Sequence, residues 1–256
     1  MYKVMGVKKA ILAVVLFASV LGLILFSLSK IQPYWAVSGT ARKIPIYNVE
    51  TQRKAVSLGI NCAWDDSDIY EILSILKNED VKATFFVVGD WCEKYPEALS
   101  AIYEAGHEIG SHSDTHPDMT KLGKEEIIEE LRGCAEKIEG VTGEKTILFR
   151  APSGAYNNLL IDTASEMGYY TIQWDVDSLD WKGLSGAEIY GRIMSKITSG
   201  SITLFHSGAK NTAGILGKII KDLKNEGFEI VKVSELIYKD NYYIDHAGTQ
   251  KKASEN

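Results

Sequence analysis

Two histidines stand four residues apart in Gly110-Ser111-His112-Ser113-Asp114-Thr115-His116. On a helical turn, residues at that spacing share a face. Two imidazoles that reach one point begin a divalent-metal site, and the same spacing also suits plain surface or capping histidines. Other reactive residue types fall in short clusters: Asn61-Cys62-Ala63-Trp64-Asp65-Asp66, Phe149-Arg150-Ala151-Pro152-Ser153-Gly154, Asp175-Val176-Asp177-Ser178-Leu179-Asp180-Trp181 and Leu204-Phe205-His206. Aspartates, an arginine and a third histidine beside a histidine pair suit metal-assisted hydrolysis with general acid–base help. Some of these polar residues suit helix capping instead, Ser153, Ser185 and Asp68 among them.

These clusters need a scaffold. Short apolar segments rich in β-branched or aromatic residues read as strands over 55–62, 83–88, 107–111, 147–150, 170–174, 201–205 and 228–231. Amphipathic helices fall between them. Residues 70–78 present Ile72, Leu73 and Leu76; residues 124–140 present Ile127, Ile128, Leu131 and Ile138; residues 215–226 present Ile219, Ile220 and Leu223. Repeated β–α units predict a mainly parallel sheet with right-handed crossovers over residues 53–240. The fold class is α/β, a distorted (β/α) barrel of about seven strands, with an open doubly wound sheet as the alternative. Either way, function gathers at the carboxyl ends of the strands, where the clusters lie.

Composition narrows the function further. The chain has 256 residues, 45% hydrophobic and 24% charged, with net charge −6. That acidity, without a basic stripe, argues against nucleic acid as a partner. Cys62, Cys92 and Cys134 form no CxxC pair or disulfide framework. Cys62 suits either a buried core thiol or a metal ligand. His107 reads as structural and His246 as inert.

Residues 10–28 form an apolar or small-residue run long enough to span a bilayer. Lys3, Lys8 and Lys9 precede it, which keeps the amino side cytoplasmic and directs the rest outward. Residues 1–30 are therefore expected to be a cytoplasmic stub and single transmembrane anchor, with a cleaved signal peptide as the alternative. Residues 31–52 read as a linker with an edge strand or flap, and 241–256 as a disordered tail.

The motifs resemble those of the polysaccharide deacetylases of the NodB-homology type, carbohydrate esterase family 4. The likeness covers about residues 40–240 and is strongest to the membrane-anchored, sporulation-associated bacterial branch. His112-Ser113-Asp114-Thr115-His116, Arg150-Ala151-Pro152-Ser153-Gly154, Asp177-Ser178-Leu179-Asp180-Trp181 and Leu204-Phe205-His206 match four family motifs in order. The family fold is a distorted (β/α) barrel. The resemblance implies a metal-dependent hydrolase that removes N-acetyl groups from an extracytoplasmic glycan, peptidoglycan or another N-acetylglucosamine polymer. It implies zinc, with cobalt as an alternative, on His112, His116 and Asp66. It also implies a Ser153 backbone N–H for the oxyanion, His206 as general acid and Asp180 as its orienting partner. Arg150 pairs near the first motif, and Trp181 and Leu204 form the pocket for the acetyl methyl.

The first motif departs from the family, whose strand ends in an aspartate base followed by an aspartate ligand. In the register favoured by the strand pattern those positions are Asn61 and Cys62. A register shifted by four residues places Asp65 and Asp66 there. Asp65 is then the candidate base, and Asn61 serves only to orient water or an N–H. A catalytically degenerate glycan-binding or morphogenetic protein of the same fold is the alternative. Hydrolysis of a different amide is a third reading.

Overall fold

A computed structural model describes residues 41–253 and, nearer the amino terminus, residues 6, 9, 11, 12 and 14–23. The chain forms two units, Met1–Arg42 and Lys43–Asn256. In the first, residues 14–23 are helical. Among the described residues no helix is long and apolar enough to cross a membrane. Parts of the expected anchor, residues 10, 13 and 24–28, lie outside the described residues, as does most of the linker, 31–40.

Among the described residues the second unit holds twelve strands. Seven form one sheet: β3 (Gly59–Cys62), β4 (Thr84–Val87), β5 (Glu108–Ser111), β6 (Leu148–Phe149), β7 (Tyr170–Thr171), β8 (Val176–Asp177) and β9 (Thr203–His206). Their order is β7-β6-β5-β4-β3-β9-β8, and every pairing is parallel. The result is a half-barrel whose edges, β7 and β8, are consecutive in the chain. Two expectations change here. Residues 229–230 (β10, Glu229–Ile230) leave the main sheet and pair with β2 (Ala55–Val56). The seventh place goes to β8, which the sequence presents as part of the loop after 170–174.

Alternation along the strands separates core from site. On β3, Ile60 and Cys62 point outward into the largest core cluster. There they meet Ile69, Ile72 and Leu76 of α1 (Ile69–Asn78), a helical i, i+3, i+7 stripe. The intervening Gly59 and Asn61 face the barrel interior. A Cβ on Gly59 would lie 2.6 Å from Arg150 Nη2 and 2.7 Å from the Thr203 carbonyl oxygen, so only glycine leaves room for that guanidinium. β4 repeats the pattern, with Phe85 and Val87 outward and Phe86 in a second cluster with Ile46, Leu148 and Ile202.

The outer layer also contains α2 (Gly89–Lys94), α3 (Pro96–Glu104), α4 (Lys124–Thr142), α5 (Asn158–Glu166), α6 (Gly186–Met194), α7 (Thr212–Asn225) and the single turn α8 (Val233–Leu236). α4 buries Ile127, Leu131, Cys134 and Ile138, begins with Glu126 accepting the Gly123 N–H, and ends at left-handed Gly143.

The carboxyl end is folded up to residue 253. β11 (Tyr242–Ile244) and β12 (Thr249–Lys252) are antiparallel, and β12 pairs in parallel with β1 (Asn48–Val49). Buried Gln250 closes this small sheet, accepting from Tyr238 N–H at 2.8 Å and donating to the Tyr238 carbonyl at 2.7 Å. The expected tail is thus ordered by a partner strand near residue 48. Only residues 254–256 fall outside the description.

Candidate active-site cleft

The histidine pair lies on no helix. His112 directly follows β5, and the chain turns back through two left-handed residues, Ser113 (φ 68°) and His116 (φ 60°). The loop is strapped to α4: Glu130 accepts the Asp114 and Thr115 N–H groups, both at 2.9 Å, and the Thr115 hydroxyl at 2.7 Å. His116 N–H donates to Ser113 Oγ at 3.0 Å. The two imidazoles meet edge to face, with centroids 4.9 Å apart. Spacing four therefore brings the rings together through loop geometry.

His112 is 2% exposed, and burial, then the His116 charge, holds its pKa well below the usual imidazole value. Burial likewise lowers His116. A neutral His112 donates Nδ1–H to the Arg150 carbonyl at 2.7 Å, which leaves the lone pair on Nε2. That lone pair faces Asn61 Nδ2 at 3.1 Å, while Asn61 Oδ1 accepts from Arg150 Nη1 at 2.9 Å. The arginine fixes the amide's orientation, because a guanidinium only donates.

Arg150 is fully buried. Nη2 donates to the Gln173 carbonyl at 3.2 Å, Nε has no hydrogen-bond partner, and the Phe86 ring lies under the guanidinium carbon at 3.9 Å. Burial pushes the group down to about 9, so it stays charged at neutral pH. Its hydrogen-bond acceptors are both neutral, and the Asp177 carboxylate favours its charge from a distance without a hydrogen bond.

Across the cleft, Asp180 orients His206. His206 Nδ1 lies 2.8 Å from Asp180 Oδ1. Asp180 Oδ2 accepts the His206 N–H at 2.8 Å and the Thr212 hydroxyl at 2.7 Å. Burial opposes the Asp180 charge, but the bonds from His206 and Thr212 outweigh it and hold the carboxyl below its ordinary range. Ser153, at φ 55°, stands in a strained left-handed turn, and Gln173 donates to the adjoining Gly154 carbonyl at 3.0 Å.

One cleft of about 470 Å³ gathers Asn61, His112, His116, Ser153, Trp181, Leu204 and His206. Arg150 and Asp180 stand directly behind this lining, through Asn61 and His206. Asp65 and Asp66 do not line the cleft. The Asp65 carboxylate turns back to accept Ser67 N–H at 3.0 Å and Ser67 hydroxyl at 2.5 Å, and those bonds lower its pKa. The Asp66 carbonyl accepts the Ile69 N–H at the start of α1. Local turn chemistry before a helix thus engages the Asp65 carboxylate, and Asp66 lies outside the cleft lining. Cys62 is also turned away, and burial raises its thiol to about 12. His107 is buried, its Nδ1 accepting from the Ala83 N–H at 3.2 Å, and His246 is exposed in the β11–β12 turn.

Four further residues line the cleft: Ala63, Trp64, Trp174 and Asp177. Trp64 stacks on His206, with centroids 5.2 Å apart and planes inclined by 20°. Its place directly after a strand end was the available signal.

The histidine pair offers two neutral imidazoles to a divalent metal. Among the described residues no three of His, Cys, Asp and Glu converge as ligands. One of the two lone pairs also faces an amide N–H. This donor set does not fit a three-ligand catalytic metal.

A parallel β/α half-barrel with a histidine pair, a buried arginine and a His–Asp dyad at its strand ends defines the class of carbohydrate deacetylases. The profile of the family described as polysaccharide deacetylase matches residues 48–172, and the chain belongs to that family. It is 37% identical over 193 residues to YlxY of Bacillus subtilis, covering 75% of this chain and 60% of that protein. It is 32% identical to the peptidoglycan-N-acetylmuramic acid deacetylase PdaC of B. subtilis, covering 73% of this chain and 40% of PdaC. Among solved structures, BA3943 from Bacillus anthracis, a CE4-family pseudoenzyme, superposes with a TM-score of 0.73 at 37% identity, over 75% of this chain and 68% of that one. A BA3943 mutant of the same fold has restored enzymatic activity.

Proposed function

We propose that the cleft binds an N-acetylated glycan of the peptidoglycan type and that the chain, as it stands, does not hydrolyse it. Asn61 carries this reading. It occupies the interior strand position between Arg150 and His112, where hydrolysis needs a carboxylate to take a proton from water. An amide cannot take that proton. Neither Asp65 nor Asp66 replaces it, for the reasons given above.

The remaining lining suits an N-acetyl sugar. Leu204 and Trp181 offer an apolar pocket to the acetyl methyl, and the Ser153 turn exposes backbone polarity to its carbonyl. The glycan reading draws on the family and on the relatives that act on peptidoglycan. The apolar run at residues 10–28, with lysines before it, supports a domain tethered to the membrane and facing outward, where such a glycan is found. Membership of the sporulation-associated branch rests on the motif resemblance.

A second reading, metal-dependent N-deacetylation, is favoured by one observation. The His206–Asp180–Thr212 network is fully assembled, and binding alone does not require an oriented proton donor. The two readings separate in one assay. The purified chain is mixed with N-acetylated peptidoglycan and with a β-1,4-linked N-acetylglucosamine oligomer, with and without added zinc or cobalt, and bound glycan and released acetate are measured. Retained binding with no acetate is expected. Sustained acetate release that disappears in His206→Ala would overturn the binding reading in favour of the deacetylase. An absence of binding to either glycan would sink both.

A further inference from the structure

We infer that Trp64 is a rigid platform on which a pyranose ring of the glycan stacks at this cleft, an inference that rests on the glycan reading above. Trp64 is 49% exposed although a large indole ordinarily gains by burial. One of its faces is taken by His206, 5.2 Å away and nearly parallel. The exposed half therefore belongs to the other face and the ring edge, beside the cleft that Trp64 lines. Trp181, 51% exposed, lines the same cleft.

The loop that carries Trp64 is held at successive points. The buried Trp91 indole N–H donates to the Asp65 carbonyl at 3.2 Å. The Asp65 carboxylate takes two bonds from Ser67, and the Gly208 N–H donates to Asp68 Oδ1 at 2.8 Å. A Cβ on Gly208 would come within 3.0 Å of Asp65 Oδ1, so the two loops are in close contact. Asp65 thus acts as scaffold for its neighbour. An aromatic ring fixed before the ligand arrives loses little entropy on binding, and this is what makes rigid indoles effective anchors.

The electron-rich face of an indole attracts positively polarised C–H groups. A gluco-configured pyranose carries its substituents equatorially and presents axial C–H groups from both faces, so it lies flat on such a ring. A galacto-configured sugar carries its axial hydroxyl on one face only and stacks through the other, so the platform recognises a pyranose face rather than its configuration. Asn61, Ser153, Asp177 and His112, in the same cleft, offer hydrogen-bonding groups to the sugar's edge.

The test titrates the full chain with a β-1,4-linked N-acetylglucosamine tetramer, by calorimetry or ligand-observed NMR. Wild type is compared with Trp64→Ala and Trp64→Phe, with circular dichroism to confirm the fold. Trp64→Ala is expected to raise Kd for the tetramer by about tenfold. Trp64→Phe keeps an aromatic face and should stay within about threefold of wild type. An unchanged Kd in folded Trp64→Ala, with wild type binding the tetramer, would refute the platform and leave the glycan reading intact. A wild type that does not bind the tetramer would remove the glycan reading and this inference with it.

Discussion

Replacing Asn61 by aspartate tests whether this position faces a buried cation that no carboxylate hydrogen-bonds. The wild-type protein already bears the cost of burying Arg150. A carboxylate at the Asn61 Oδ1 position would receive Nη1 at about the observed 2.9 Å. With charge centres about 4 Å apart and an effective dielectric near 20, the attraction is ~4 kcal/mol. Against it stand the desolvation of the new carboxylate, several kcal/mol in a closed site and less beside an open cleft, and the lost amide bond to His112, ~1 kcal/mol. The balance is about +1 kcal/mol, which raises the melting temperature of a domain this size by ~2–4 °C. The new carboxylate also joins two imidazoles, so zinc at one hundred times its Kd should add ~2.7 kcal/mol. Thermal melts of both proteins, with chelator and with zinc, read these effects directly. Wild type should show no zinc response, and the variant should show one together with stoichiometric metal by elemental analysis. A variant destabilised by more than ~5 °C and indifferent to zinc would show that the pocket is not built around a carboxylate, and the account of Arg150 would be wrong.

Other substitutions probe the supports of the site. Gly59→Ala puts a methyl against Arg150 and the Thr203 carbonyl, and should cost ~3 kcal/mol in urea denaturation; an unshifted midpoint would contradict the packing described. Glu130→Ala removes three bonds to the histidine loop and should cost ~3 kcal/mol while speeding amide exchange at Asp114 and Thr115, with Glu130→Gln recovering most of both. His107 is depressed by burial to about 4, below its unfolded value near 6.5. Its contribution is therefore complete above pH ~6.5 and fades as pH falls toward 4, a loss of roughly 3 kcal/mol that denaturation at pH 7 and pH 4.5 would detect. His107→Gln, which keeps an acceptor for the Ala83 N–H, should flatten that slope, and an unchanged slope would assign it to other groups.

What the sequence revealed depended on local signals. α1, α4 and α7 were legible because their apolar residues recur at helical spacing over ten residues or more. α3, α5 and α6 have nine residues each, too few for a helical stripe to stand out; Pro96, Asn157 and the Ser185–Glu188 capping box mark their starts, and of these the sequence reading takes only Ser185 as a cap. The two-residue β8 is too short for any periodicity to show. The β11–β12 hairpin is polar, and what orders it is β1, near the other end of the domain. In the site, strand alternation was enough to set Asn61 inward and Cys62 outward. The fate of Asp65 was decided by its serine two residues on, a turn signal that competes with any catalytic assignment. The stack of Trp64 on His206 joins strand ends far apart in sequence, which no local pattern reports.

The choice of asparagine at position 61 is itself informative. Between Arg150, which only donates, and His112 Nε2, which accepts in the neutral ring, the site requires a side chain with an acceptor at one end and a donor at the other. An amide satisfies both. An ionised carboxylate satisfies Arg150 but turns a second acceptor toward His112, an opposition that a proton or a metal cation between them relieves. Asparagine therefore satisfies both neighbours without metal, and aspartate gains further stability when metal is present. Residue 61 and metal affinity are thermodynamically linked, so the substitution that supplies a base should also raise affinity for the ion. The dyad at His206 and Asp180 lies outside this linkage, bonded to Thr212 and stacked under Trp64. An Asn61→Asp chain that gains a base would therefore find its oriented proton donor already in place.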